Sequence, residues 1–170
     1  MGFFDWLFSQ PQPQIPTVTT ILPSIVTDEI HQGRLPHINA DRLFLKHGEL
    51  CHYADRAILI VVQKNKVHFT KNFGISVPGL LKGNRYHHGQ STTTAEEQVK
   101  TEQYQGILYI TNRRIIFTSK SKGFDKQYRY LSAVMPYANG IELQYGSTIY
   151  SLVVPDGPIT YAVIQMLQQR

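Results

Sequence analysis

The stretch from Gly106 to Thr118 restricts the fold of this chain more than any other. Two runs rich in β-branched and aromatic residues, GILYIT at 106–111 and RIIFT at 114–118, are separated only by Asn112 and Arg113. Runs of this kind favour extended backbone, and so short a link leaves room only for a tight antiparallel reversal. The expectation is a hairpin over 106–118. Because side chains alternate along a strand, Leu108 and Ile110 share one face, and Ile107 and Tyr109 share the other.

The rest of the chain reads as further short strands closed by one helix. Residues 50–63 end in a β-branched run before Lys64-Asn65-Lys66, which is read as a turn. Short strands are expected at 66–70 and 74–78. Glycines at 79, 83 and 89 punctuate the next stretch, and the polar segment QSTTTAEE at 90–97 is read as a loop. Downstream, Phe124, Lys126, Tyr128 and Tyr130 alternate with polar residues. Asn139-Gly140 signals a second hairpin, and Gly146-Ser147 a turn before a strand over 147–154. The period then changes. Ile159, Ala162, Val163, Met166 and Leu167 follow helical spacing, with Asp156 placed to cap the helix and Pro158 tolerated in its first turn. A shorter helix is expected at 24–32, capped by Ser24, stopped at Gly33, and burying Ile25, Val26 and Ile30.

This gives three regions. Residues 1–23 are an aromatic segment followed by a Pro-rich linker, 24–42 a short helix and lead-in, and 43–170 the main β domain. Residues 3–8 include Phe3, Phe4, Trp6, Leu7 and Phe8, and a helix would gather Phe3, Phe4, Leu7 and Phe8 on one side. Pro11, Pro13 and Pro16 make the following stretch a semi-rigid spacer. The N-terminal apolar run lacks a preceding basic residue and contains Asp5, so it does not read as a secretory signal. The single cysteine, Cys51, allows no internal disulfide. A cytoplasmic location is the expectation, with peripheral attachment to a membrane as its variant.

Charge is unevenly distributed. Residues 64–129 hold twelve basic and four acidic residues, a net of +8, against −2 before them and −1 after. A stretch of that sign draws polyanions or anionic membranes, or it simply solubilises a surface. The basic loop and strand with Lys120, Lys122, Lys126 and Arg129 are the candidate ligand or lipid contacts. The N-terminal aromatic residues Phe3, Phe4, Trp6, Leu7 and Phe8 are the candidate dock for a protein partner, a second copy or a membrane, with protein favoured because Asp5 sits among them and no basic residue flanks them.

No reaction chemistry is assembled at a telling spacing. The seven histidines and Cys51 show no C-x-x-C or H-x-x-x-H pattern, so no metal site is expected. Cys51 and His52 are neighbours whose side chains point to opposite faces of a strand, so Cys51 is read as structural. There is no G-x-S-x-G elbow, P-loop or G-x-G-x-x-G, and no cofactor is implied. Arg113, Arg114, Lys120, Lys122, Lys126 and Arg129 lie among tyrosines, a combination that can hold single-stranded nucleic acid, but no RRM, KH or OB signature accompanies them.

The hairpin Gly106-Ile107-Leu108-Tyr109-Ile110-Thr111, followed by Arg114-Ile115-Ile116-Phe117, resembles the GRAM and bacterial PH-like signature. Upstream, Leu45-Lys46-His47-Gly48-Glu49 resembles the L-x-x-G-E opening of the same group. The resemblance covers about residues 43–168. It implies a mainly β fold, a bent antiparallel sheet or partly open barrel closed by a C-terminal α-helix. It also implies a non-catalytic binding or scaffolding module of the bacterial or phage-infected cytosol, which recognises a protein partner or self-assembles. The alternative it carries is a peripheral membrane module that binds anionic headgroups through a basic hairpin.

Overall fold

A computed structural model describes residues 16–78 and 85–169, and their side chains outside 65–99. The fold is mainly β, with one antiparallel sheet of seven strands and a C-terminal helix. The strands are β1 (Cys51–Pro78), β2 (Arg85–Thr111), β3 (Arg114–Ser119), β4 (Phe124–Gln127), β5 (Ala133–Tyr137), β6 (Gly140–Tyr145) and β7 (Thr148–Val153). Their order across the sheet is β4-β3-β2-β1-β7-β6-β5, so β4 and β5 are edges and the sheet is not closed.

The hairpin expected over 106–118 forms in the expected register, with Leu108 opposite Phe117 and Ile110 opposite Ile115. Leu108, Ile110, Ile115 and Phe117 belong to the main core. Tyr109 and Ile116, on the opposite face, join a second cluster with Ala40 and Cys51. Both faces are therefore covered. The lead-in supplies the cover on the second face through Ile38 and Leu43, and an isolated bridge between Ile38 and Cys51 fixes it there.

Gly106 has a steric reason to be glycine. A Cβ built on it would lie 2.0 Å from the Thr118 carbonyl oxygen and 2.9 Å from Phe117 Cζ, so a side chain there would push β3 away.

Helix α1 (Ser24–His31) and helix α2 (Gly157–Gln168) pack on one another, and α2 also lies on β5 and β6. The Asp156 side chain accepts the Ile159 amide at 2.9 Å, the expected cap, and proline occupies the first turn. The buried face of α2 differs from the expected stripe. Ile159, Thr160, Val163 and Ile164 are buried, while Ala162, Met166 and Leu167 sit at its flanks. An apolar pattern alone could not place Thr160 inside, but its hydroxyl donates to the Tyr53 hydroxyl at 3.0 Å, which satisfies both buried groups.

Other expectations need correction. The chain does not turn at Lys64-Asn65-Lys66, nor loop at 90–97: β1 and β2 run through both. Lys-Asn-Lys contains neither Gly nor Pro to reverse the backbone, and Thr92, Thr93 and Thr94 are β-branched and suit a strand despite their polarity. Ser24 is the first residue of α1, not its cap, with Pro23 in the cap position, and Ile25 is exposed. The alternation after Phe124 ends at Gln127, where a 3₁₀ turn over Tyr128–Tyr130 begins. The second hairpin forms, with Ala138 and Asn139 in the turn and Gly140 opening β6.

By contact, the chain divides into two compact units. Of the described residues, one comprises 16–61 and 103–169 and holds both core clusters. The other, Val62–Glu102, comprises the remaining lengths of β1 and β2. Within it Glu102 accepts from Gln63 at 3.3 Å and pairs with Lys100 at 2.9 Å.

Candidate functional site: a basic corner at the β2–β3 turn

The two sequence motifs meet at one corner of the first unit. Thr111, the last residue of β2, stitches the turn: its hydroxyl oxygen accepts the amides of Arg113 and Arg114 at 3.1 and 3.0 Å and donates to Glu49 at 2.7 Å. Asn112 then fastens the lead-in to the turn. Its side chain accepts the Leu50 amide at 2.9 Å and donates to the Gly48 carbonyl at 3.1 Å. Gly48 takes φ +72°, a conformation that favours glycine, and this turn brings Glu49 beneath the corner.

Arg114 is the centre of the arrangement. It donates through Nε to Glu49 Oε1 at 2.8 Å and through Nη2 to Oε2 at 3.1 Å. Nη2 also reaches the Phe44 carbonyl at 2.8 Å, and Nη1 donates to Asp125 on β4. Burial by itself would raise the Glu49 pKa. The hydrogen bonds from Arg114, the Lys46 amide and Thr111, with the Arg114 charge, outweigh that and hold it at about 2. Glu49 is therefore a fixed anion whose charge is spent on Arg114.

Above this network lies a concavity of about 330 Å³ lined by Lys46, Arg113, Arg114, Gln127 and Arg129. Among the described residues no carboxylate lines it. Arg113 is steadied by donating to the His47 carbonyl at 2.9 Å, and the Arg129 guanidinium lies 4.6 Å from the centre of the Tyr130 ring. Beside it the loop carries Phe44, whose side chain is 96% exposed, followed by the exposed Leu45. Leu50 and Tyr130 are exposed as well.

Of the four basic residues expected to act together, only Arg129 belongs to this corner. Lys120 and Lys122 are exposed in the β3–β4 turn, at the other end of β3, where Lys122 Nζ lies 5.5 Å from the Tyr104 ring centre. Lys126 is half-buried on β4, opposite Ile115. Phe3, Phe4, Trp6, Leu7 and Phe8 lie outside the described residues. Sequence reasoning missed Lys46 and Phe44 as members of a site and missed that Arg113 and Arg114 face the lead-in. The available signal was the pair of motifs itself: a Gly-Glu after an exposed Lys, and an Arg at a strand start, each needing a partner.

A larger concavity of about 610 Å³, lined among others by Ile21, Val26, Ile38 and Tyr109, lies between the lead-in and the sheet. Its lining also includes His37, Asp41 and Arg42. Cys51 is buried, donates to the Tyr53 carbonyl at 3.2 Å, and has its thiol pKa pushed up by burial. The His52 ring meets the Pro36 carbonyl at 2.7 Å. Among the described residues no group of three or more His, Cys, Asp or Glu could hold a metal ion, and no helix is long and apolar enough to cross a membrane. No protein-family model matches the chain, and no curated protein or solved structure matches it.

Proposed function

We propose that this chain is a non-catalytic recognition module of PH-like type that docks its basic corner on an anionic membrane surface. The observation that carries the reading is the exposure of Phe44, two residues before Lys46 and with its backbone carbonyl bound to Arg114 of the cation-lined concavity. A bare aromatic side chain is costly in water and favourable at a bilayer interface, and the neighbouring cations meet headgroup phosphates. The same corner suits nucleic acid less well, because its cations form one compact cluster and not a track along which a backbone could run. The test is flotation of the full chain with phosphatidylcholine vesicles, with and without phosphatidylglycerol, at low and high salt. Binding should need the anionic lipid, weaken with salt, and fall for Phe44→Ser. Absence of binding at low salt would overturn the reading.

A second reading, recognition of a protein partner or of another copy, is favoured by a different surface. Met135, Tyr137 and Ile149 are exposed and, by the β5–β6–β7 register, share the outer face of that hairpin array. Light scattering of the wild type against Met135→Ser/Ile149→Ser tests self-association there. An equal mass for both excludes it.

A further inference from the structure

We infer that the concavity at the basic corner is a binding site for a phosphomonoester dianion carried on a lipid headgroup, an inference that rests on the corner being the working surface proposed above.

Charge is the first argument. Lys46, Arg113, Arg114 and Arg129 bring four positive charges to the lining, and Glu49 and Asp125, both bound to Arg114, bring two negative ones, so the net is 4 − 2 = +2. A carboxylate or a phosphodiester, each carrying one negative charge, would leave one positive charge uncompensated. A phosphomonoester carries about −1.5 to −2 at neutral pH and matches the site.

The acids stand clear of the concavity. Neither Glu49 nor Asp125 lines the concavity. Their work is to fix the Arg114 plane from behind, together with the Phe44 carbonyl. An incoming anion thus meets donors and no repelling carboxylate.

The donors are preorganised as well. Arg113 is held by His47, Arg129 lies against Tyr130, and the Lys46 amide is bound to Glu49 at 2.9 Å. Planar guanidinium groups held in place lose little freedom when they take up phosphate oxygens, and their forked donors fit that geometry. Gln127 adds a neutral side chain that can donate to an oxygen or accept from a protonated one. The volume, about 330 Å³, accommodates a phosphate group and a few atoms of what bears it.

The experiment has two arms, both on the full chain. In the first, amide NMR shifts are followed on adding inorganic phosphate or dimethyl phosphate at constant ionic strength. Phosphate should give saturable shifts at Arg113, Arg114 and Arg129, with dimethyl phosphate weaker by about fivefold or more, the worth of one additional unit charge near the solvated limit. Arg113→Gln/Arg129→Gln, both at exposed positions, should abolish the difference. Equal affinity for the two anions, or shifts that never saturate, would overturn the site. In the second arm, vesicles of phosphatidic acid and of phosphatidylglycerol are compared at matched surface charge. A preference for phosphatidic acid that the double variant loses supports the lipid source. Equal binding to both vesicles leaves the membrane reading standing and overturns this inference. Selective phosphate binding with no binding to any vesicle overturns the membrane reading and the lipid source, and makes a free phosphomonoester the ligand.

Discussion

Arg114 grips Glu49 from the side, Nε on one carboxylate oxygen at 2.8 Å and Nη2 on the other at 3.1 Å, across 65 positions of sequence. The pair joins the lead-in to the hairpin, and Thr111, the Lys46 amide, the Phe44 carbonyl and Asp125 add further bonds around it. Two charges removed from water persist only when such supporting bonds are present. The corner is thus both a structural lock and the floor of the anionic site.

The lock gives stability a definite pH dependence. The Glu49 pKa lies at about 2 in the fold against an ordinary 4.5, so the folded state holds its proton less tightly than the unfolded chain. Its contribution is fully present above 4.5 and is lost as pH falls from there toward about 2. Glu49→Gln should destabilise the protein at neutral pH by about 3 kcal/mol, since Arg114 loses its main buried partner. It should also flatten the acid limb of a stability-against-pH curve. Parallel acid limbs for wild type and variant, measured by urea unfolding, would falsify the assignment.

Two glycines should tolerate no methyl group. A Cβ on Gly106 would lie 2.0 Å from the Thr118 carbonyl oxygen, and one on Gly157 1.8 Å from that of Tyr137, both fixed backbone atoms. Gly106→Ala and Gly157→Ala should each cost about 3 kcal/mol, the upper end for forcing extra atoms into a packed site. Denaturant midpoints check this, and a loss below about 0.5 kcal/mol for either would mean that its strand or helix can shift freely.

The terminal helix separates a central position from a flanking one. Ile164 is 1% exposed whereas Leu167 is only partly buried, so Ile164→Ala should lose about 3 kcal/mol and Leu167→Ala less than half of that. Equal losses would show that the face is centred where the sequence spacing puts it, nearer Leu167.

What the sequence made legible was local. The hairpin at 106–118 follows from alternation and a two-residue link, and the Asp156 cap and the Gly146 turn from backbone chemistry confined to a few residues. The errors came where tertiary partners decide. Thr160 is buried because Tyr53, 107 positions away, receives its hydroxyl. The Thr-rich 92–94 stretch belongs to β2, which lies beside β1 in the sheet. The site was half legible: Glu49 and Arg114 stood out in their motifs, but nothing local tells that they meet or that Lys46 and Arg129 flank them. The Lys120 cluster was conspicuous only because its residues are close in sequence.

The basic turn and the corner should contribute unequally to membrane binding. Lys120 and Lys122 lie beyond one end of β3 and Arg113 precedes the other. Six strand residues separate the two groups, about 20 Å at roughly 3.3 Å each. At about 0.1 M salt the screening length is about 10 Å, so charges at the turn scarcely assist an anion bound at the corner. Each basic residue at an anionic surface is worth about 1 kcal/mol. Lys46→Gln/Arg113→Gln/Arg129→Gln should therefore weaken binding to phosphatidylglycerol-containing vesicles by about a hundredfold. Lys120→Gln/Lys122→Gln/Lys126→Gln removes the same number of charges and should weaken it by less than about fivefold, because two of the three sit outside the screening distance. Vesicle co-sedimentation at about 0.1 M salt measures both. A larger loss in the turn variant than in the corner variant would move the membrane-facing surface to the opposite end of β3 and leave Phe44 without a role there.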